Sequence, residues 1–166
     1  ENNKLLKTTG TIQDITESHL AKMELEKSEN RLKEAQEVAH IGSFDYDLMN
    51  DMVVWSDELY RIYGLEKEKY NPTNNGFFNL VHPGDSARIR KKIEESITNQ
   101  TLLEYDHRLI RSDNFEVRIM HCRAKITYDE KDNAVKIAGT SQDVTKIRKA
   151  EMEVKNSREQ LRKLAS

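Results

Sequence analysis

The two ends of this 166-residue chain repeat each other. Residues 1–37 align on residues 130–166 without a gap, at an offset of 129, and twelve of the 37 pairs are identical. GTIQDIT at 10–16 answers GTSQDVT at 139–145. Average residue usage gives about two or three chance identities over such a length. The offset is far too long for a solenoid repeat and marks tandem copies of a whole domain joined by the same connector. The chain thus reads as the tail (last strand) of one copy over 1–16, a connecting helix over 17–39, a complete domain over 40–145 and a second connecting helix over 146–166.

Both connectors carry the same stripe. Ala21, Leu25, Ser28, Leu32, Ala35 and Ala39 recur at spacings of four and three, and Ala150, Val154, Ser157, Leu161 and Leu164 repeat the pattern. That is the a/d seam of a coiled coil, predicting a homodimer through the flanking helices. An amphipathic helix packed on its own domain is the alternative. The remaining faces are charged, with Glu29 and Lys33, and Glu159 and Lys163, at the favourable four-residue spacing. These solvated helices explain why charged residues, at 34%, nearly equal the 36% that are hydrophobic. Thr16 and Thr145 stand where N-caps are expected.

Between the connectors, apolar and polar residues alternate over Ser43–Leu48, with Phe44, Tyr46 and Leu48 on one side. Asn50 and Asp51 turn the chain into a second strand, Met52–Trp55. Ser56 is placed to cap a short helix ending at Gly64, and residues 66–76 read as loop. A short helix over Phe77–Val81 follows, then a longer one capped by Asp85 and running to about Asn99. Three strands close the domain at Leu102–Arg111, Phe115–Thr127 and Ala134–Gln142, with turns at 112–114 and 129–133. This order predicts an α+β fold, a five-stranded antiparallel sheet with short helices and one longer helix on one face.

Five segments in this order carry a resemblance: HIGSFDY at 40–46, WSDELYRIYG at 55–64, HPGD at 82–85, RLIRSD at 108–113 and GTSQDVT at 139–145. Together they resemble a PAS sensor domain of the subclass common in multi-PAS sensor histidine kinases. The resemblance implies a sheet and helices around a small internal cavity, with adjacent PAS and kinase domains as partners in the same chain. It implies a sensory, signal-relay and dimerisation module. Strain in the last strand would pass through Gln142, Asp143 and Thr145 into the C-terminal helix. Where the family usually has Asp-Gly in the turn between the third and fourth strands, this chain has Asp113-Asn114, and Asn is expected to take the left-handed position.

A cavity ligand, if there is one, is expected to meet Phe44, Tyr46, Trp55, Phe77, His107 and Met120. The alternatives are thus a small-molecule chemoreceptor and a ligand-free spacer. Heme-binding relatives use a histidine on the long helix, and residues 86–99 contain none. Flavin-adduct relatives use Asn-Cys-Arg on the short central helix, whereas Cys122 lies in a strand, in phase with Met120, Ala124 and Ile126. Neither cofactor is expected. His19, His40, His82, His107 and His121 show no metal-binding spacing, and no nucleophile, base and orienter form a set, so no metal site and no catalysis are expected. A net charge of −2 predicts no nucleic acid and no direct membrane contact, and one cysteine suits a cytoplasmic compartment, although the parent could be membrane-anchored elsewhere.

Overall fold

The computed structural model describes residues 14–164. The strand expected at the start of the chain lies mostly outside the described residues. The chain divides into two units, one up to Ala35 and one from Gln36 on. The first consists, in its described part, of most of helix α1 (Thr16–Ala39), which has no buried residue.

The second unit contains β1 (Ile41–Asp47), β2 (Met52–Trp55), α2 (Asp57–Tyr63), α3 (Asn74–Leu80), α4 (Pro83–Thr98), β3 (Leu103–Ile110), β4 (Val117–Tyr128), β5 (Ala134–Asp143) and α5 (Thr145–Leu164). The strands form one sheet in the order β2-β1-β5-β4-β3, every neighbour antiparallel. Period-two alternation puts Leu103, Tyr105, His107 and Leu109 of β3 on the covered face, with Met120, Cys122 and Ala124 of β4 beside them. Helices α2, α3 and α4 bury that face in two apolar clusters. One joins Phe78, Val81 and Ile89 to Leu103, Tyr105 and Cys122; the other joins Trp55 and the α2 residues Leu59, Tyr60, Ile62 and Tyr63 to Leu109 and Met120. Trp55 fills the second with its ring at 4.9 Å from Tyr63, edge to face, and stacked on Tyr70 at 5.7 Å.

Several local devices differ from the expected ones. Ser56 occupies the N-cap of α2, but its hydroxyl accepts from the Ser43 amide instead of capping. Helix α3 begins at Asn74, capped by Thr73, because the Thr73 hydroxyl accepts the Gly76 amide. The cap of α4 is His82, whose Nδ1 accepts from the Gly84 amide, and Pro83 fills the first helical position, where its missing N–H costs nothing. That frees Asp85 for another task. Its carboxylate accepts from the Arg108 amide (2.8 Å) and from the Arg108 guanidinium (2.8 and 3.1 Å), fastening α4 to β3. This hydrogen-bonded guanidinium holds the Asp85 carboxyl down at about 2. Thr16 and Thr145 are the first residues of their helices rather than caps. Asp14 and Asp143 accept their amides at 2.9 and 3.0 Å. In the β3–β4 turn the left-handed residue is Phe115 (φ 59°), not Asn114. The Asn114 carboxamide instead accepts from the Glu116 amide, closing a side-chain turn one residue earlier.

Candidate functional site

Two places in the second unit gather the residues to which the sequence directs attention. The first is a cavity of about 70 Å³ between the sheet and the helices. Phe44 and Tyr46 of β1, Trp55 of β2, Phe77 of α3 and His107 of β3 all line it. Tyr105, Cys122, Ile137 and Ser141, which sequence reasoning did not assign to it, complete much of its wall. Met120 does not reach it: although directly opposite His107 in register, it is covered by the α2 cluster with Trp55 and Tyr63. Two residues that pair across strands here have different roofs, and that depends on where the helices cross.

The lining is almost wholly apolar, and none of its side chains is Lys, Arg, Asp or Glu. His107, Asn74 and Ser141 are the exceptions in polarity, and His107 is the titratable one. It is 2% exposed, held between Phe77 (ring centroids 5.6 Å apart, edge to face) and Tyr105 (5.5 Å), and neither ring nitrogen has a hydrogen-bond partner. Burial pushes its pKa down to about 4, so the imidazole is neutral at neutral pH. Burial likewise pushes the Cys122 thiol up to about 12, which makes it a small apolar wall residue and a poor nucleophile.

A porphyrin or a flavin ring system does not fit here. Sites for ligands of that size run to roughly 300–1,000 Å³, several times this volume. The long helix supplies no histidine, and Cys122 sits in the sheet rather than on a helix. Among the described residues, no group of three His, Cys, Asp or Glu is arranged to hold a metal ion. No described helix is long and apolar enough to cross a membrane.

The second place is the end of β5. The Gln142 carboxamide donates to the Ala39 carbonyl (3.3 Å), and the Asp143 amide donates to the His40 carbonyl (3.0 Å), so the segment entering the domain is hydrogen-bonded to β5. Next along, the Val144 amide donates to Ile119 of β4 and the Ile119 amide returns a bond to the Thr145 hydroxyl (2.8 Å). The Asp143 carboxylate takes the Thr145 hydroxyl and amide on one oxygen and the Arg118 guanidinium, at 2.8 Å, on the other. Burial alone would raise this carboxyl, but these donors outweigh it and hold it below the ordinary range. One turn into α5, Arg148 reaches back 2.8 Å to Asp106 of β3, whose other oxygen lies 2.6 Å from Nδ1 of His121. Arg118, Asp106 and Arg148 were not legible as members of this junction, since each comes from a different strand or helix. The seam residues Ala21, Leu25, Ser28, Leu32, Ala35, Ala150, Val154, Ser157 and Leu161 are all exposed in the single chain.

Comparison with known proteins places this geometry. A family profile described as the PAS fold matches residues 52–141. A hybrid signal transduction histidine kinase of Dictyostelium discoideum is 27% identical over 115 residues, covering 69% of this chain and 6% of that protein. The chain therefore spans only a small part of that relative's length. Among solved structures, a sensory box histidine kinase/response regulator from Burkholderia thailandensis superposes with a TM-score of 0.67 at 21% identity, covering 80% of this chain and 98% of that one. The N-terminal domain of a diguanylate cyclase with a PAS/PAC sensor from Marinobacter aquaeolei does so with a TM-score of 0.58 at 10% identity, covering 65% and 98%.

Proposed function

This chain belongs to the PAS-fold family, and on that premise we propose that it is a sensory, signal-relay and dimerisation module of a multi-domain signalling protein, a sensor histidine kinase acting in the cytoplasm. The observation that carries the relay is the end of β5. Three consecutive residues, Gln142, Asp143 and Val144, bond in turn to the incoming segment at Ala39 and His40 and to the strand beneath the outgoing helix at Ile119. A shift of the incoming segment therefore acts on the same residues that set where α5 starts. Asp143 is the pivot, because it joins Arg118 of β4 to Thr145 of α5. In the repeated GTxQDxT segment Asp14 and Thr16 answer Asp143 and Thr145, and the Asp14 carboxylate accepts the Thr16 amide as Asp143 accepts that of Thr145. Two arrangements of the paired helices, separated by a few kcal/mol, would then bias the kinase.

The test is made in the full-length parent. Asp143→Ala and Arg118→Ala are expected to uncouple kinase output from its stimulus, while each variant domain alone keeps its circular dichroism spectrum. Unchanged stimulus response in both variants would end the relay reading. A second reading, reception of a cavity ligand, is favoured by the unpartnered His107.

A further inference from the structure

A neutral imidazole carries one donor and one acceptor, and buried polar groups are ordinarily satisfied. His107 satisfies neither in a cavity walled mostly by rings and alkyl groups, with Asn74 and Ser141 as further polar side chains, and the Ser141 hydroxyl also lacks a partner of good geometry. The imidazole packs against the rings of Phe77, edge to face, and Tyr105, neither of which accepts a hydrogen bond from it or donates one to it. Resting on the sensory reading above, we propose that the cavity is a recognition site for a small uncharged molecule, an alcohol or amide of roughly five non-hydrogen atoms, whose one polar group pairs with His107.

Three features select this class. The volume of about 70 Å³ admits roughly five water-sized groups, so the ligand is small. No side chain of opposite charge lines the wall, so an anion or a cation would enter without compensation, which is prohibitive in an apolar cavity. An alcohol or a primary amide offers both a donor and an acceptor, which a ketone or an ether does not.

Isobutanol, isobutyramide and the size-matched anion isobutyrate are suitable probes, titrated into the 166-residue chain at pH 7 while the ring resonances of His107 are followed by NMR. The expected result is saturable movement of the His107 signals with isobutanol and isobutyramide and none with isobutyrate. His107→Phe should weaken alcohol binding about tenfold, and His107→Gln, which keeps a donor and an acceptor, should retain most of it. Equal binding of isobutyrate, or no response at His107 in the unmodified protein, would overturn the proposal; the latter means a cavity filled only by water. The wild-type titration needs no variant to fold. Binding at His107 without any change in the output of the full-length parent would leave the site standing and remove the sensory reading instead.

Discussion

His107 has no place for a second proton. Its imidazole is enclosed by Phe77 and Tyr105, and burial outweighs the pull of the carboxylates of Asp85 and Asp106, while Arg88 pushes in the same direction as burial. The folded value lies near 4 against an ordinary 6.5, so between those limits the unfolded chain binds a proton that the native state refuses. Stability contributed here is present above about pH 6.5 and declines as pH falls toward 4. The full linkage is on the order of 3 kcal/mol. His107→Phe removes it and also removes two unpaired polar atoms, so the variant should be at least as stable as the parent at pH 7 and gain on it steadily during acidification. Urea unfolding of the two proteins at intervals from pH 7 to 4 measures the difference. Parallel curves would mean that protons reach the imidazole in the folded state. Asp85 does not confuse the comparison, because its carboxyl titrates well below this window, near 2, under the hold of Arg108.

The elements themselves were legible wherever a repeat in the sequence meets a flat surface. β3 shows why: Leu103, Tyr105, His107 and Leu109 alternate with Glu104, Asp106 and Arg108, and a two-residue period has only one half-buried solution. Helix starts were harder, because the same residue type can cap or bridge. Asp85 reads as a cap until Arg108 arrives from 23 positions away to claim it, and Pro83 at the first helical position was the local sign that the cap lay at His82. The cavity was legible as a face but not as a boundary: Met120 and His107 pair across strands, yet only one lies under the open space. The β3–β4 turn makes a test of this kind. Phe115 sits at φ 59° and is 78% exposed, so it bears the left-handed penalty without burying its ring in return. Phe115→Gly should stabilise the protein by roughly 0.5–1 kcal/mol, the relieved strain exceeding the added freedom of the unfolded chain. Asn114→Gly should instead cost a few tenths of a kcal/mol, since it removes the carboxamide that accepts the Glu116 amide without relieving any strain. Thermal unfolding of the two variants checks both signs, and a gain from Asn114→Gly would place the left-handed residue where the sequence alone suggests it.

At the scale of the whole molecule, the exposed stripe on the helices carries the proposed dimer. Leu25 and Leu32 of α1 are 59% and 62% exposed, and Val154 and Leu161 of α5 are 51% and 66% exposed, at the spacing of a seam. Helices of 24 and 20 residues that bury at most one residue gain little from packing on their own domain, so a partner on the stripe is expected to stabilise them. The seam is short and rich in Ala and Ser, which allows close approach but buries little area, and a dimer formed through it is expected to dissociate at about micromolar concentration rather than nanomolar. Light scattering across a dilution series should therefore pass from two chains to one. Val154→Asp with Leu161→Asp, and separately Leu25→Asp with Leu32→Asp, divide the seam between its two helices. Whichever pair abolishes the larger mass identifies the helix that carries the contact, while an unchanged near-ultraviolet spectrum shows that the domain around Trp55 is intact. If the chain is one molecule at every concentration, the seam does not dimerise it. If only the α5 pair matters, the contact forms on the helix that Asp143 and Arg148 tie to the sheet, so the relay and the dimer act through one element.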